Sequence, residues 1–202
     1  LDAYRSAKER IFANQEAGDL AVVPPGYAGE LRATRVEFEP APAASVRLRG
    51  RDNLENAGAA AADARARGLP DSAIAHALSS FSGVPHRLEE VAEVGGVTFI
   101  NDSKATNVAA ARRGIEAFPG GVHVILGGSL KGGGFRGLRE PVASRCRAAY
   151  LIGQAAGELE RDLVGTVPLR RCGDLETAVA AAAEAAAPGE VVLLSPACAS
   201  YD

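Results

Sequence analysis

The sequence predicts an α/β protein whose larger part is a doubly wound, mostly parallel sheet. Two observations support this fold class. From Arg87 to the end of the chain, short apolar runs rich in β-branched residues alternate with segments of helical periodicity. Strands separated by helices are normally parallel and joined by right-handed crossovers. With 202 residues, the chain can bury one large core or two modest ones.

The part of the chain before Arg87 has a less regular pattern. Apolar spacing and alternation predict helices at about 3–15, 53–67 and 71–80, and strands at 20–23, 34–38 and 45–48. The second helix opens at Asn53, for which a helix cap and a ligand role are alternatives. Gly and Pro then interrupt the helical periodicity in the segment 82–85, so we place a domain boundary there, between 1–84 and 85–202.

Three strands after this boundary end in polar or glycine-rich loops. We predict strands at 97–100, 122–126 and 191–194, and helices near 106–117, 136–143, 154–163 and 174–187. The carboxyl ends of parallel strands lie at one edge of a sheet, where open α/β sheets bind ligands. We therefore expect convergence of the polar side chains of these loops, namely Lys104, Thr106, Lys131 and Ser200.

Such a cluster suits a negatively charged ligand. Two ammonium groups, hydroxyls and the amides of a helix N-terminus favour a carboxylate or a phosphate. The alternative is that the lysines at the strand ends are solvated surface residues.

Charge and composition exclude several classes of function. The net charge of −3, with interspersed signs, provides no basic surface for nucleic acid. The apolar runs are too short to span a bilayer and the first residues lack a signal-peptide layout, so we expect a cytoplasmic protein without membrane contact. The three cysteines have no C-x-x-C spacing, which disfavours zinc and disulfides, and Cys198 is expected to be a small buried residue.

Several motifs together resemble the D-glutamate-adding branch of the Mur ligase family. The matching segments are Pro85-His86-Arg87, Asn-Asp-Ser-Lys-Ala-Thr-Asn at 101–107, Gly-Gly-x-x-Lys at 127–131 and Ser-Pro-Ala-Cys-Ala-Ser at 195–200. Upstream, residues 3–12 and 53–57 resemble pieces of the family's central ATPase domain. The resemblance covers nearly the whole chain. It implies the end of a central ATPase-type α/β domain at 1–84, followed by a Rossmann-like domain at 85–202 that binds D-glutamate.

The resemblance also implies a reaction. Such a ligase uses ATP and Mg²⁺ to join D-glutamate to UDP-N-acetylmuramoyl-L-alanine through an acyl phosphate, in peptidoglycan precursor synthesis. The partners are then these small molecules, with no nucleic acid and no membrane, and the protein acts as a monomer. The competing interpretation is a non-catalytic Rossmann-like ligand-binding domain or a regulatory relic of a ligase.

Matching position by position assigns roles to individual residues. On the nucleotide side, Asn56 would bind the adenine, Asp102 the ribose and Arg87 the phosphates. Lys8 would be the carbamylated lysine that binds a metal ion, and Lys104 would stand near the transferred phosphoryl group. The substrate residues for D-glutamate would be Thr106, Lys131 and Ser200.

Each of these assignments has a simpler alternative. Asn56 is also typical of an exposed first-turn amide, Asp102 of a turn, and Arg87 of a surface cation. Lys8 is typical of a solvated helix face that also carries Arg5.

Some features of the family pattern are missing from the sequence. No G-x-x-x-x-G-K-[ST] phosphate loop occurs, so the glycines of 127–134 are not assigned to a nucleotide loop. The resemblance places that loop and the UDP-binding domain upstream, so we expect a fragment that is inactive alone. Asp52 stands where the family has His, and Pro24-Pro25 stands where it has Asn and Asp.

Overall fold

The structure is a computed structural model that describes residues 2–130 and 132–199. The chain divides into two compact units between Ser82 and Gly83, inside the segment that contains Gly and Pro. In the described part of the chain, no helix is long and apolar enough to cross a membrane.

In the first unit, residues 2–82 form a two-stranded parallel sheet and three α-helices. Its elements are α1 (Asp2–Glu9), β1 (Leu20–Val23), β2 (Thr34–Glu37), α2 (Arg51–Ala66) and α3 (Asp71–Ser80), with 3₁₀ turns at Arg10–Phe12 and Ala43–Ser45. Leu20 lies opposite Thr34 in the strand pair. Most of the predicted elements are therefore present, and the first helix is shorter than predicted.

Two details of the prediction for this unit were wrong. Residues 45–48 do not form a strand, because the chain closes a 3₁₀ turn in which the Ser45 hydroxyl donates to the Pro42 carbonyl at 2.7 Å. Asn53 does not cap α2, because the helix already begins after Gly50, whose φ of 91° suits glycine. The Asn53 amide instead donates to the Arg49 carbonyl at 2.7 Å.

The second unit is built on a six-stranded sheet. Its strands are β3 (Glu89–Val94), β4 (Val97–Asn101), β5 (Val122–Gly127), β6 (Cys146–Ile152), β7 (Leu169–Gly173) and β8 (Val191–Leu194). Their order across the sheet is β3-β4-β8-β5-β6-β7. The edge strand β3 is antiparallel to β4, and the other strand pairs named here are parallel. This confirms the mostly parallel sheet.

Helices cover both faces of this sheet. They are α4 (Val108–Glu116), α5 (Arg139–Arg145), α6 (Ala156–Leu163) and α7 (Leu175–Ala185). Val124 of β5 packs in the core that contains residues of α4, α5 and α6. The next residue, Ile125, packs in the second core with the small alanines of α7. All residues of β5 are buried, as expected for a central parallel strand, and the doubly wound fold is confirmed.

Side-chain caps fix where two of these helices begin. The Asn107 side chain accepts a hydrogen bond from the Ala110 N–H at 2.9 Å and so starts α4. Asp174 accepts from the Thr177 N–H at 2.8 Å and starts α7. The helix expected at 136–143 begins as a 3₁₀ turn, Arg136–Leu138, before α5.

The sheet order positions the loops that follow its strands. β8 pairs in parallel with β4 on one side and with β5 on the other. The three loops that the sequence singled out therefore leave adjacent strands at the same edge of the sheet.

Candidate active site

Backbone hydrogen bonds join the three loops. The Ala197 N–H donates to the Ala105 carbonyl at 2.8 Å, which ties the 195–199 segment to the loop after β4. On the other side, the Gly127 N–H donates to the Pro196 carbonyl at 2.9 Å, and the Ser129 N–H donates to the Ala199 carbonyl at 2.9 Å. The 195–199 segment therefore lies between the other two loops and is bonded to both.

Two glycines allow backbones to approach closely at this edge. A Cβ at Gly128 would lie 2.5 Å from the Ala199 carbonyl oxygen of the 195–199 segment, and one at Gly127 would overlap the Ile152 carbonyl oxygen at the end of β6. Their φ angles of 141° and 132° are also ones that only glycine adopts readily. These glycines serve backbone packing at the site edge.

A fourth segment, residues 86–88, contacts the loop after β4. The Lys104 N–H donates to the His86 carbonyl at 3.1 Å, and the Asn101 side-chain nitrogen lies 3.0 Å from His86 Nδ1. His86 and Leu88 have positive φ angles of 67° and 46°. Such conformations cost free energy and commonly persist where the backbone serves a functional site. Arg87 lies between them and is exposed.

Asp102 is held inside this arrangement. Only 7% of its surface is exposed. One carboxylate oxygen accepts from the Ser195 hydroxyl at 2.8 Å and the other accepts from the Leu88 N–H at 3.3 Å. Burial raises the pKa of Asp102, while the Ser195 and Leu88 hydrogen bonds and the charge of Arg87 act in the opposite direction. A carboxylate accepts about four hydrogen bonds, so this one can still bind hydroxyl groups.

The residues after Asp102 form a rigid support for two polar side chains. Ala105 is 3% exposed and packs in the core. Its N–H donates to the Asp102 carbonyl at 2.9 Å. Lys104 on one side of it is exposed, and Thr106 on the other side is half-buried. The ammonium group of Lys104 and the hydroxyl of Thr106 are groups that can bind an anion.

Two of the predicted substrate residues, Lys131 and Ser200, lie outside the described residues. The structure brings the backbone of their loops together with the loop of Lys104 and Thr106. Cys198 is 2% exposed and packs in the core, as expected for a small buried residue.

A cavity of about 640 Å³ opens beside these loops. It is lined by the start of α4, the glycines 132–134, and side chains that include Arg136, Glu158 and Arg161. Neither arginine was predicted from the sequence as a site residue. Arginines in a helix or a turn are mostly solvated, so no local signal marks them.

The predicted residues of the first unit are both exposed. Lys8 lies on α1, with its Nζ 5.5 Å from the centre of the Tyr4 ring, and Asn56 lies on α2. Within residues 2–130 and 132–199, no group of three or more His, Cys, Asp or Glu side chains could hold a metal ion.

Comparison with known sequences identifies the second unit. Residues 86–198 match the family described as Mur ligase, glutamate ligase domain. The UDP-N-acetylmuramoylalanine–D-glutamate ligase of Acidobacterium capsulatum is 53% identical over 161 residues, which are 80% of this chain and 35% of that protein. The enzyme of the same name from Solibacter usitatus is 44% identical in an alignment of 230 positions, which covers 100% of this chain and 52% of that protein. The chain thus spans about half or less of these relatives.

Solved structures share the fold at lower sequence identity. The MurF ligase of Thermotoga maritima in complex with ADP has a TM-score of 0.70 and 19% identity, covering 94% of this chain and 52% of that one. A bifunctional folylpolyglutamate synthase/dihydrofolate synthase from Yersinia pestis has a TM-score of 0.58 and 24% identity, covering 82% of this chain and 45% of that one. The matched residues 86–198 make up more than half of the chain, which therefore belongs to the Mur ligase family.

Proposed function

We propose that this chain is part of an ATP-dependent ligase that adds D-glutamate to UDP-N-acetylmuramoyl-L-alanine. The observation that carries the proposal is the 195–199 segment, which is hydrogen-bonded on one side to Ala105 and on the other to Gly127 and Ser129. This arrangement joins all three polar motifs of the second unit. The names of the relatives from Acidobacterium capsulatum and Solibacter usitatus support the same substrate branch.

The proposed reaction has two steps. The carboxylate of the L-alanine residue attacks the γ-phosphorus of ATP, so that an acyl phosphate forms and ADP leaves. The amino group of D-glutamate then attacks the acyl carbon, loses a proton, and expels phosphate as the amide bond forms. Several anions must meet in one cleft, so cationic side chains and hydrogen-bond donors are the groups that such a site needs.

For the nucleotide, we assign Asn56 to the adenine, Asp102 to the ribose and Arg87 to the phosphates. The carboxylate of Asp102 supports this assignment, because each oxygen accepts one hydrogen bond from the described protein atoms and retains capacity for a ribose hydroxyl. Arg87 is exposed and able to reach a ligand.

For the amino acid and the reacting phosphoryl group, we assign Lys104, Thr106, Lys131 and Ser200. Lys104 would offset the charge of the transferred phosphoryl group. Thr106 and Lys131 would hold one carboxylate of D-glutamate, and Ser200 the other. The metal role of Lys8 is a further assignment from the resemblance. Mg²⁺ would supply charge compensation on the phosphates, although the described residues offer no cluster of ligands for it.

We further propose that the protein acts in the cytoplasm as a monomer on these small molecules. A net charge of −3 gives no electrostatic basis for nucleic-acid binding.

The proposed function predicts phosphate release that depends on both substrates. The experiment measures phosphate from ATP in the complete gene product, with UDP-N-acetylmuramoyl-L-alanine and D-glutamate added singly and together. Release above background only in the complete mixture supports the ligase. Binding of D-glutamate without phosphate release would favour the non-catalytic relic.

A further inference from the structure

Asp102 and Ser195 occupy equivalent places at the ends of adjacent strands. β4 and β8 are in parallel register, with Asn101 opposite Leu194, so the next residue of each strand begins a site loop. The Asp102 N–H donates to the Leu194 carbonyl at 2.8 Å, and the Ser195 N–H donates to the Ile125 carbonyl at 3.2 Å. Both backbones are therefore fixed by the sheet, and the two side chains meet between them.

The hydrogen bond between these side chains is enclosed. Ser195 has no exposed surface, and its hydroxyl lies 2.8 Å from the Asp102 carboxylate. Helix α4 closes the third side: a Cβ at Gly114 would lie 2.5 Å from the Asp102 oxygen and 2.9 Å from the Ser195 hydroxyl. Because the Ser195 hydroxyl is buried, its hydrogen bond to the carboxylate is stronger than the same bond at the surface.

The two residues that this bond joins belong to different parts of the proposed site. Asp102 is assigned to the nucleotide ribose, whereas Ser195 begins the segment that continues to Ser200, assigned to D-glutamate. The Ser195 hydroxyl can donate only one proton, and that proton goes to Asp102.

We propose that Ser195 is a positioning residue that orients the Asp102 carboxylate toward the ribose of the nucleotide and links the loop after β4 to the 195–199 segment. The inference rests on the proposed function. Leu88 holds the other carboxylate oxygen, so the two protein donors fix the plane of the carboxylate. Without the Ser195 hydroxyl, that plane would be free to turn about the remaining bond.

The ionisation of Asp102 provides a direct readout of the hydrogen bond from Ser195. Burial raises the pKa of this carboxyl, and the Ser195 hydroxyl is the first of the groups that oppose the rise, followed by the Leu88 N–H and the charge of Arg87. From α4, the residue that faces the carboxylate is the uncharged Gly114. Removing the hydroxyl should therefore raise the pKa of Asp102 further.

The first experiment titrates the Asp102 side-chain carboxyl by carbon-13 NMR in the chain itself. Ser195→Ala should raise its pKa, and Ser195→Cys, which keeps a weak donor of similar size, should raise it less. The control is Thr166→Val, which removes a different partly buried hydroxyl that donates to the Leu163 carbonyl at 2.7 Å. It should leave the Asp102 pKa unchanged. An unchanged pKa in Ser195→Ala would overturn the proposal.

The second experiment separates the role of Ser195 from the proposed function. In the complete gene product, the misoriented Asp102 carboxylate of Ser195→Ala should lose a hydrogen bond to the ribose, and this loss should raise the KM for ATP roughly tenfold. Thr166→Val should leave that KM unchanged. An unchanged KM for ATP in an active Ser195→Ala variant would overturn the positioning role while the ligase assignment stands. Absence of substrate-dependent phosphate release in the unmodified protein would instead refute the proposed function.

Discussion

The Nε2 atom of His123 lies 3.0 Å from a carboxylate oxygen of Glu190, at the end of the sheet opposite the candidate active site. His123 is 3% exposed, and its Nδ1 lies 3.1 Å from the Tyr150 hydroxyl. Glu190 also accepts hydrogen bonds from the Ala187 N–H at 2.9 Å and from Arg147 at 2.8 Å. One carboxylate thus joins the starts of β5, β6 and β8.

This arrangement predicts acid-sensitive stability. The Ala187 N–H, followed by His123 and Arg147, lowers the pKa of Glu190 from 4.5 to about 2. A lowered pKa means that the ionised carboxylate stabilises the fold above pH 4.5, and that this contribution is lost as the pH falls through 4.5 toward 2. Glu190→Gln should therefore lower the Tm near neutral pH and show a shallower decrease of Tm on acidification. Parallel Tm–pH curves for the two proteins would contradict this.

Gly114 provides a test of packing around Asp102. Replacing a helical glycine by alanine normally stabilises a protein by about 0.5–1 kcal/mol. At this position the new methyl group would lie 2.5 Å from the Asp102 carboxylate, and such overpacking costs about 1–3 kcal/mol. We expect Gly114→Ala to destabilise the second unit on balance, as measured by urea unfolding.

The matched control for this substitution is Gly157→Ala in α6. A Cβ there would meet only the end of the flexible Arg171 side chain, at 3.4 Å. This variant should be as stable as the unmodified chain or more so. If both alanine variants shift the unfolding free energy in the same direction, the packing argument for Gly114 is wrong.

The sequence predicted strands well where the apolar pattern alone decides the structure. Val191 to Leu194 is a short apolar run bounded by polar residues and Pro, and it forms β8 in the middle of the sheet. Residues 45–48 alternate between polar and apolar side chains, a pattern that also predicts a strand. No strand forms there, because a strand also needs a neighbouring strand with which to pair. The start of α2 was misplaced because a positive φ at Gly50 determines it, and Asn53 is already inside the first turn.

The candidate site was predictable in outline from the order of its motifs. The polar segments 101–107 and 195–200 are recognisable because hydroxyl, amide and charged residues follow apolar strands. The bond between Asp102 and Ser195 was not predictable, because the two residues are 93 positions apart and their meeting depends on which strands become neighbours. A serine before a proline gives no local sign of its partner.

Lys8 is predicted to be essential for turnover in the complete ligase. The family resemblance assigns it a role at a metal ion, whereas its exposed position on α1 is also typical of a solvated cation. The matched control is Arg5, an exposed cation on the same helix whose Nε lies 3.7 Å from Glu9. Lys8→Ala should abolish phosphate release while Arg5→Ala retains it. In this chain alone, neither variant should change the unfolding free energy by more than about 0.5 kcal/mol. Equal activity of the two variants would mean that Lys8 is a solvated surface cation and has no role at the metal ion.

The D-glutamate assignments predict a selective loss of affinity. Removal of one charge-assisted hydrogen bond costs about 1.5–3 kcal/mol. In the complete ligase, Lys131→Ala or Ser200→Ala should therefore raise the KM for D-glutamate roughly ten- to a hundredfold, with little change in the KM for ATP. Thr106→Val, which keeps the shape of a half-buried side chain but removes its hydroxyl, should have a smaller effect in the same direction.

The control is Ser144→Ala, because Ser144 lies in α5 and its hydroxyl is 3.4 Å from the Pro141 carbonyl of the same helix. Steady-state kinetics with each substrate varied in turn would measure all four variants. A loss confined to ATP in the Lys131 and Ser200 variants would mean that these two loops bind the nucleotide instead of the amino acid.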